Sequence, residues 1–300
     1  SLKSLQQAGN NILAVVTNTD KPKGRGMKVI ASPVKQFALE KNLKIYQPIK
    51  VKNNNEFIEK IKALNPDVIC VVAYGKILPK EILEIPKLGC INVHASLLPK
   101  YRGAAPIQWA VLNGDEKTGV TTMYMDVGMD TGDMILKQEV EIGENETTGE
   151  LWDRLSKIGG QLLVETLNQI EQKKAPRIPQ GKDFTMLQKQ MANIDWENQT
   201  AKQIKNLVRG LNPIMGAYST LENKKIKLWK VDALDKSDDL FDESRKNGEV
   251  LLSNCKNGLY IKAKDGIIKV LEIQGENAKR MSIEDFLRGN SIKIGSIFKN

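Results

Sequence analysis

Apolar residues in the first part of the chain follow two rhythms. Short runs at 12–16, 44–46, 68–73, 120–125 and 134–140 predict strands. Segments 34–41, 57–64 and a long series from 147 repeat apolar residues every three or four positions and predict helices. Strands separated by amphipathic helices predict βαβ units and a mostly parallel sheet. The strand around Ile91 breaks the apolar pattern on one face only. Asn92 and His94, two apart, project together while Ile91 and Val93 point into packing. A helix starting at Pro106 follows, with Gly114 positioned to end it. Residues 1–9 predict a helix with Leu2, Leu5 and Ala8 on one side.

The long helix has a legible start, because Thr147 and Glu150 form a capping box ahead of Leu151, Leu155, Ile158, Leu162, Leu167 and Ile170. Residues 173–182 hold two prolines, a glycine and four cations without periodicity, and predict a linker. Beyond 194 the pattern becomes one amphipathic helix, 200–211, then short strands at 225–231, 250–254, 259–263 and 267–273. Lys264-Asp265-Gly266 is a hairpin turn, and Ser282 can cap a last short helix. A small barrel closes such strands without leaving open edges. The expected division is an α/β domain over 1–175, a linker over 176–193 and a small β domain over 194–300.

Three hundred residues suit two domains. A hydrophobic content of 41% with 27% charged residues excludes disorder of the whole chain. The net charge of +9 changes the picture by pointing to polyanionic partners. Cys70, Cys90 and Cys255 lack the spacing of a disulfide framework or a zinc site and fit a reducing compartment. The longest apolar run, 68–73, is too short to span a bilayer, so no membrane partner is expected.

Gly24 and Gly26 do not complete a dinucleotide fingerprint, since Val29 stands in the third place, and no P-loop is present. The acidic loop 126–133 fails as a calcium loop, with Gly128 and Lys137 where oxygen ligands are needed, and no metal is expected. The candidate chemistry narrows to the single histidine, His94, to Asn92, and to one carboxylate from Asp126, Asp130 and Asp133. Spacing does not choose among the three.

Asn92-Val-His94, Ser96-Leu-Leu-Pro99, Arg102-Gly-Ala-Ala-Pro106 and Asp126-Val-Gly-Met-Asp-Thr-Gly-Asp133 together resemble the 10-formyltetrahydrofolate-dependent formyltransferases. The likeness also takes in Thr17-Asn-Thr-Asp-Lys-Pro-Lys-Gly-Arg-Gly26, Ala73-Tyr-Gly-Lys-Ile-Leu-Pro79 and Ile194-Asp-Trp196, and is strongest to the branch acting on methionyl-tRNA. It implies a Rossmann-like catalytic domain and an OB-like C-terminal barrel that helps hold tRNA. The family's catalytic residues fall on Asn92, His94 and Asp130. Folate contacts fall on Ser96, Leu97, Leu98 and Pro99, with Gly75, Ile77 and Leu78. The family begins with a strand and a Gly-Thr-Pro loop, so the sequence is expected to start inside its first domain.

The implied reaction moves a formyl group from 10-formyltetrahydrofolate to the α-amine of methionyl initiator tRNA, without an enzyme nucleophile. Asn92 and His94 would donate to the developing oxyanion, and Asp130 would favour an imidazolium and relay the amine's proton. By composition the loop 20–28 is a solvated basic loop; the resemblance sets Lys21, Lys23, Arg25 and Lys28 against the acceptor stem. Lys225 and Lys227, on one strand face, would add a second basic surface. A cytoplasmic monomer is expected. Competing readings are a formyltransferase for a small amine such as an amino sugar nucleotide, a folate-deformylating hydrolase and a non-catalytic RNA-binding protein.

Overall fold

Side chains that alternate between two packed layers organise the first part of the chain. The computed structural model describes residues 1–23, 28–180 and 192–300, with the backbone alone at 21–23 and 28. In chain order the elements are α1 (Leu2–Gln7), β1 (Val15–Val16), β2 (Lys21–Lys23), β3 (Lys28–Ile30), α2 (Pro33–Glu40), β4 (Ile45–Tyr46), α3 (Asn55–Leu64) and β5 (Ile69–Val72). They continue with α4 (Lys80–Leu83), β6 (Cys90–His94), α5 (Pro106–Leu112), β7 (Lys117–Tyr124), β8 (Met134–Glu141) and α6 (Thr148–Glu171). β1 pairs with β4 and β5 with β6, both in parallel, whereas β6 and β7 run antiparallel with His94 opposite Thr121. Thr122 bonds Leu136 and Tyr124 bonds Asp133, so β8 runs antiparallel to β7. The α/β class and its parallel pairs follow the sequence pattern; the sheet turns antiparallel from β7 onward.

One side of β5 and β6 packs on α6 and α1, where Ile91, Leu163, Ile170, Leu5 and Ile135 are buried. On the other, Val51, Phe57, Ile58, Ile61, Leu78 and Ile82 form a second core under α3 and α4. Segment 20–28, expected as a loop, has its two ends paired as the β2–β3 ladder, Lys21 opposite Ile30 and Lys23 opposite Lys28.

Contacts group the chain into two compact units. The first is Ser1–Gly103, Gly119–Val140 and Arg154–Thr185; the second is Ala104–Thr118, Glu141–Asp153 and Met186–Asn300. The second therefore takes in α5, which packs on a helix beyond the expected linker. Its further elements are α7 (Ala201–Gly210), β9 (Ala217–Leu221), β10 (Lys224–Asp235), β11 (Val250–Asn254), β12 (Gly258–Ala263), β13 (Gly266–Gln274), β14 (Met281–Ser282) and α8 (Ile283–Gly289). The sheet order is β11-β12-β13-β10-β9, with antiparallel ladders throughout and β14 added on β13. Near the end of the chain Ile297 bridges to Glu249 beside β11 and Lys299 to Thr220 in β9, the two outer strands of that order. Trp196, Ile204, Leu228, Ile261, Ile268 and Phe298 lie in its core.

Candidate active site

Strand alternation sets the site. Ile91 is fully buried, and Val93 lies so near α6 that a Cβ on Gly159 would come within 2.9 Å of it. This locks the opposite side chains, Asn92 and His94, onto the other face, where they are 9% and 6% exposed. His94 Nε2 lies 3.0 Å from the Tyr101 carbonyl oxygen. A carbonyl only accepts, so Nε2 carries a hydrogen and Nδ1 is the atom left for chemistry. Tyr101 adopts φ +57°, a left-handed turn that accompanies this carbonyl contact.

The loop after β7 folds back over the same face. Asn92 Nδ2 donates to Asp130 Oδ1 at 3.2 Å, and His94 Nδ1 stands 3.7 Å from Asp130 Oδ2, beyond direct hydrogen-bond range. Asn92 thus keeps a second N–H uncommitted to this carboxylate. Asp130 itself has φ +51°, a conformation costing a non-glycine residue roughly 1–2 kcal/mol. The other two acidic candidates are occupied elsewhere: Asp126 accepts from the Val127 amide and Asp133 pairs with Arg177 at 3.5 Å. Of the three aspartates, Asp130 is the one set against Asn92 and His94.

The loop after β6 is held from inside. Ser96 Oγ donates to the Lys100 carbonyl, and Thr121 Oγ1 donates to the Ser96 carbonyl while accepting from the Leu98 amide, at 2.6, 2.7 and 3.1 Å. Lys137 Nζ donates to the Leu98 carbonyl. Ser96 and Leu98 are buried, so of the residues expected against folate they shape the loop, and Leu97 and Pro99 are its partly exposed members. Gly75 and Ile77 are exposed beyond the end of β5, next to β6, whereas Leu78 belongs to the core under α3.

Among the basic candidates, Arg25 and the side chains of Lys21, Lys23 and Lys28 lie outside the described residues. Lys225 is exposed with its ammonium over the Tyr218 ring. Lys227 donates to the Met215 carbonyl at 2.8 Å. Burial pushes the Cys70 and Cys90 thiols up to about 12, so neither is a thiolate at neutral pH. Gln180, assigned by composition to the linker, donates to the carbonyls of Asp130 and Gly132 at 3.0 and 2.7 Å. Its two oxygen partners are backbone atoms, which leave no side-chain pattern to find, and the Met123 sulfur lies 4.0 Å from the same nitrogen.

An α/β layer carrying an asparagine, histidine and aspartate on one face, followed by an antiparallel sheet unit, matches two family descriptions. Formyl transferase covers residues 1–167 and Formyl transferase, C-terminal domain, covers 186–291. The chain belongs to the formyl transferase family. It is 51% identical to the methionyl-tRNA formyltransferase of Clostridioides difficile (strain 630), over 99% of this chain and 94% of that one. It is 47% identical to the methionyl-tRNA formyltransferase of Caldanaerobacter subterraneus subsp. tengcongensis, over 100% and 96%. Among solved structures it shares a fold with WlaRD, a sugar 3N-formyl transferase studied in the presence of dTdp and 5-N-Formyl-THF. The TM-score there is 0.61 at 20% identity, covering 92% of each chain.

Proposed function

We propose that this protein transfers a formyl group from 10-formyltetrahydrofolate to the α-amine of methionyl initiator tRNA, in the cytoplasm and as a monomer. The observation that carries this reading is the 51% identity to a methionyl-tRNA formyltransferase sustained over 99% of the chain, through both units. The folate cosubstrate supplies an electrophilic formyl carbon and a nitrogen that leaves it. The exposed Gly75 and Ile77 beside the β6 loop, with the partly exposed Leu97 and Pro99, suit a flat heteroaromatic ligand.

Asn92 holds its remaining N–H for the formyl oxygen as negative charge develops there. Asp130 accepts the proton released by the attacking amine and passes it through solvent, across the 3.7 Å gap, to Nδ1 of His94, which is tied at Nε2 and gives it to the leaving nitrogen. No enzyme nucleophile is needed, in keeping with the protonated buried thiols. The antiparallel sheet whose outer strands both meet the 297–299 segment supports an OB-like barrel, with Lys225 and Lys227 on its outside. Of these, Lys225 joins Lys21, Lys23, Arg25 and Lys28 as the proposed tRNA contacts, whereas the Lys227 ammonium goes to the Met215 carbonyl.

The test offers purified protein 10-formyltetrahydrofolate with charged initiator tRNA, charged elongator tRNA, an amino sugar nucleotide or no acceptor, and follows folate release. Turnover with initiator methionyl-tRNA alone is expected; preference for the sugar nucleotide, or release without acceptor, overturns it. His94→Ala and Asp130→Asn are expected to lose turnover by about 100-fold or more with an unchanged circular dichroism spectrum.

A further inference from the structure

Residues 177–180 grip the Asp130 loop at three successive points. Arg177 stacks over the Tyr124 ring at 3.8 Å and pairs with Asp133. Ile178 exchanges two main-chain hydrogen bonds with Met134, at 2.8 and 3.0 Å. Gln180 then reaches into the loop and donates from one nitrogen to both the Asp130 and Gly132 carbonyls. The loop 126–132 lies between β7 and β8 and belongs to neither strand. The amide of Gln180 therefore does for this loop what a strand ladder does elsewhere. Its orientation is forced: turning the amide over would set Oε1, which is buried without a partner, against two carbonyl oxygens.

We propose that Gln180 is a positioning residue for formyl transfer. By holding the carbonyls on either side of Thr131, it fixes the left-handed turn at Asp130, and with it the aim of the carboxylate at Asn92 and His94. This rests on the reading of Asp130 as the proton acceptor. A slack loop would leave substrate binding intact but let the carboxylate drift from the amine. The loss then belongs in kcat and not in KM.

The charge of a replacement separates positioning from mere packing. In Gln180→Glu an ionised carboxylate faces two carbonyls and cannot donate, whereas the protonated acid has one O–H to give. Among the described residues the charged groups of this loop and its clamp are Asp126, Asp130, Asp133, Arg177 and, when protonated, His94.

Formylation of methionyl-tRNA by wild type, Gln180→Ala, Gln180→Glu and Asp130→Asn is compared from about pH 8 to about pH 5.5, a range set by the raised pKa of a desolvated carboxyl. Gln180→Ala is expected to lower kcat about 10- to 100-fold with KM for both substrates within about twofold. The ratio of Gln180→Glu to Gln180→Ala activity, in which the substrate's own titration cancels, is expected to rise as pH falls. Wild-type kcat in Gln180→Ala while Asp130→Asn is inactive overturns the inference alone. So does Gln180→Glu tracking Gln180→Ala at every pH. Wild-type kcat in Asp130→Asn overturns the reading beneath it.

Discussion

At Gly132 a methyl group would lie 1.9 Å from the Tyr124 carbonyl oxygen, a backbone atom that cannot step aside without moving β7. At Gly128 in the same loop the obstacles are side-chain atoms of Thr131, Oγ1, Cγ2 and Cβ at 2.3, 2.8 and 3.1 Å, on an exposed turn where Thr131 can shift without moving a strand. Gly132→Ala is therefore expected to cost about 1–3 kcal/mol in denaturant unfolding and to lower kcat with it, because overpacking here displaces the main chain beside Asp130. Gly128→Ala is expected to cost less on both measures; equal effects would mean that the backbone clash is not what matters. The same scale explains which aspartate faces the histidine. Three acidic residues in eight positions are equivalent as a string. They differ once Asp126 caps its own turn, Asp133 turns to Arg177 and Asp130 takes the left-handed bend.

Helix α6 begins as its sequence announces. The Thr147 backbone and hydroxyl donate to Glu150 Oε2 at 2.9 and 2.8 Å, and the Glu150 amide donates to Thr147 Oγ1 at 3.3 Å. Those bonds hold the Glu150 carboxyl below its ordinary pKa. A depressed carboxylate contributes stability that is complete above the unfolded value, about 4.3, and is lost as pH falls through the lower folded one. Thr147→Ala is expected to cost about 1 kcal/mol at neutral pH by urea unfolding. Its gap from wild type should narrow below about pH 4, the carboxylate range. Thr200→Ala, in the box that uses the uncharged Gln203, should show a gap that does not narrow in this way. Elements with such caps and long apolar periods were legible from residue order alone: α2, α3, α6, α7 and the strands β5, β6, β11, β12 and β13. What escaped were pieces whose order comes from distant partners. α4 is four residues long, β9 exists through its ladder to β10, and β2 and β3 pair across a lysine-rich stretch that looks solvated. The Asn92 and His94 pair was readable because alternation is local. The contacts of His94 with the Tyr101 carbonyl and of the Gln180 side chain with the Asp130 and Gly132 carbonyls were not, since backbone partners carry no sequence signature.

For the molecule as a whole, a net charge of +9 should make tRNA binding weaken steeply with salt. Lys225 and Lys227 of the C-terminal sheet are not equivalent. Lys225 is exposed and free to leave the Tyr218 ring for a phosphate, whereas the Lys227 ammonium is spent on the Met215 carbonyl. Lys225→Gln is expected to flatten the log-log salt slope by about 0.9, one phosphate's worth, and Lys227→Gln to leave the slope unchanged and lower stability instead. Filter binding of methionyl-tRNA at graded salt measures both, and equal slopes in the two variants would contradict this division. The molecule has a single histidine among 300 residues, and that histidine is tied through Nε2 to a main-chain oxygen. Uniform nitrogen-15 labelling therefore yields one pair of imidazole resonances, needing no assignment by mutation. Their chemical shifts report the tautomer directly. A titration of that one spin system, with and without folate, follows the proton at the centre of the site in the intact wild-type protein.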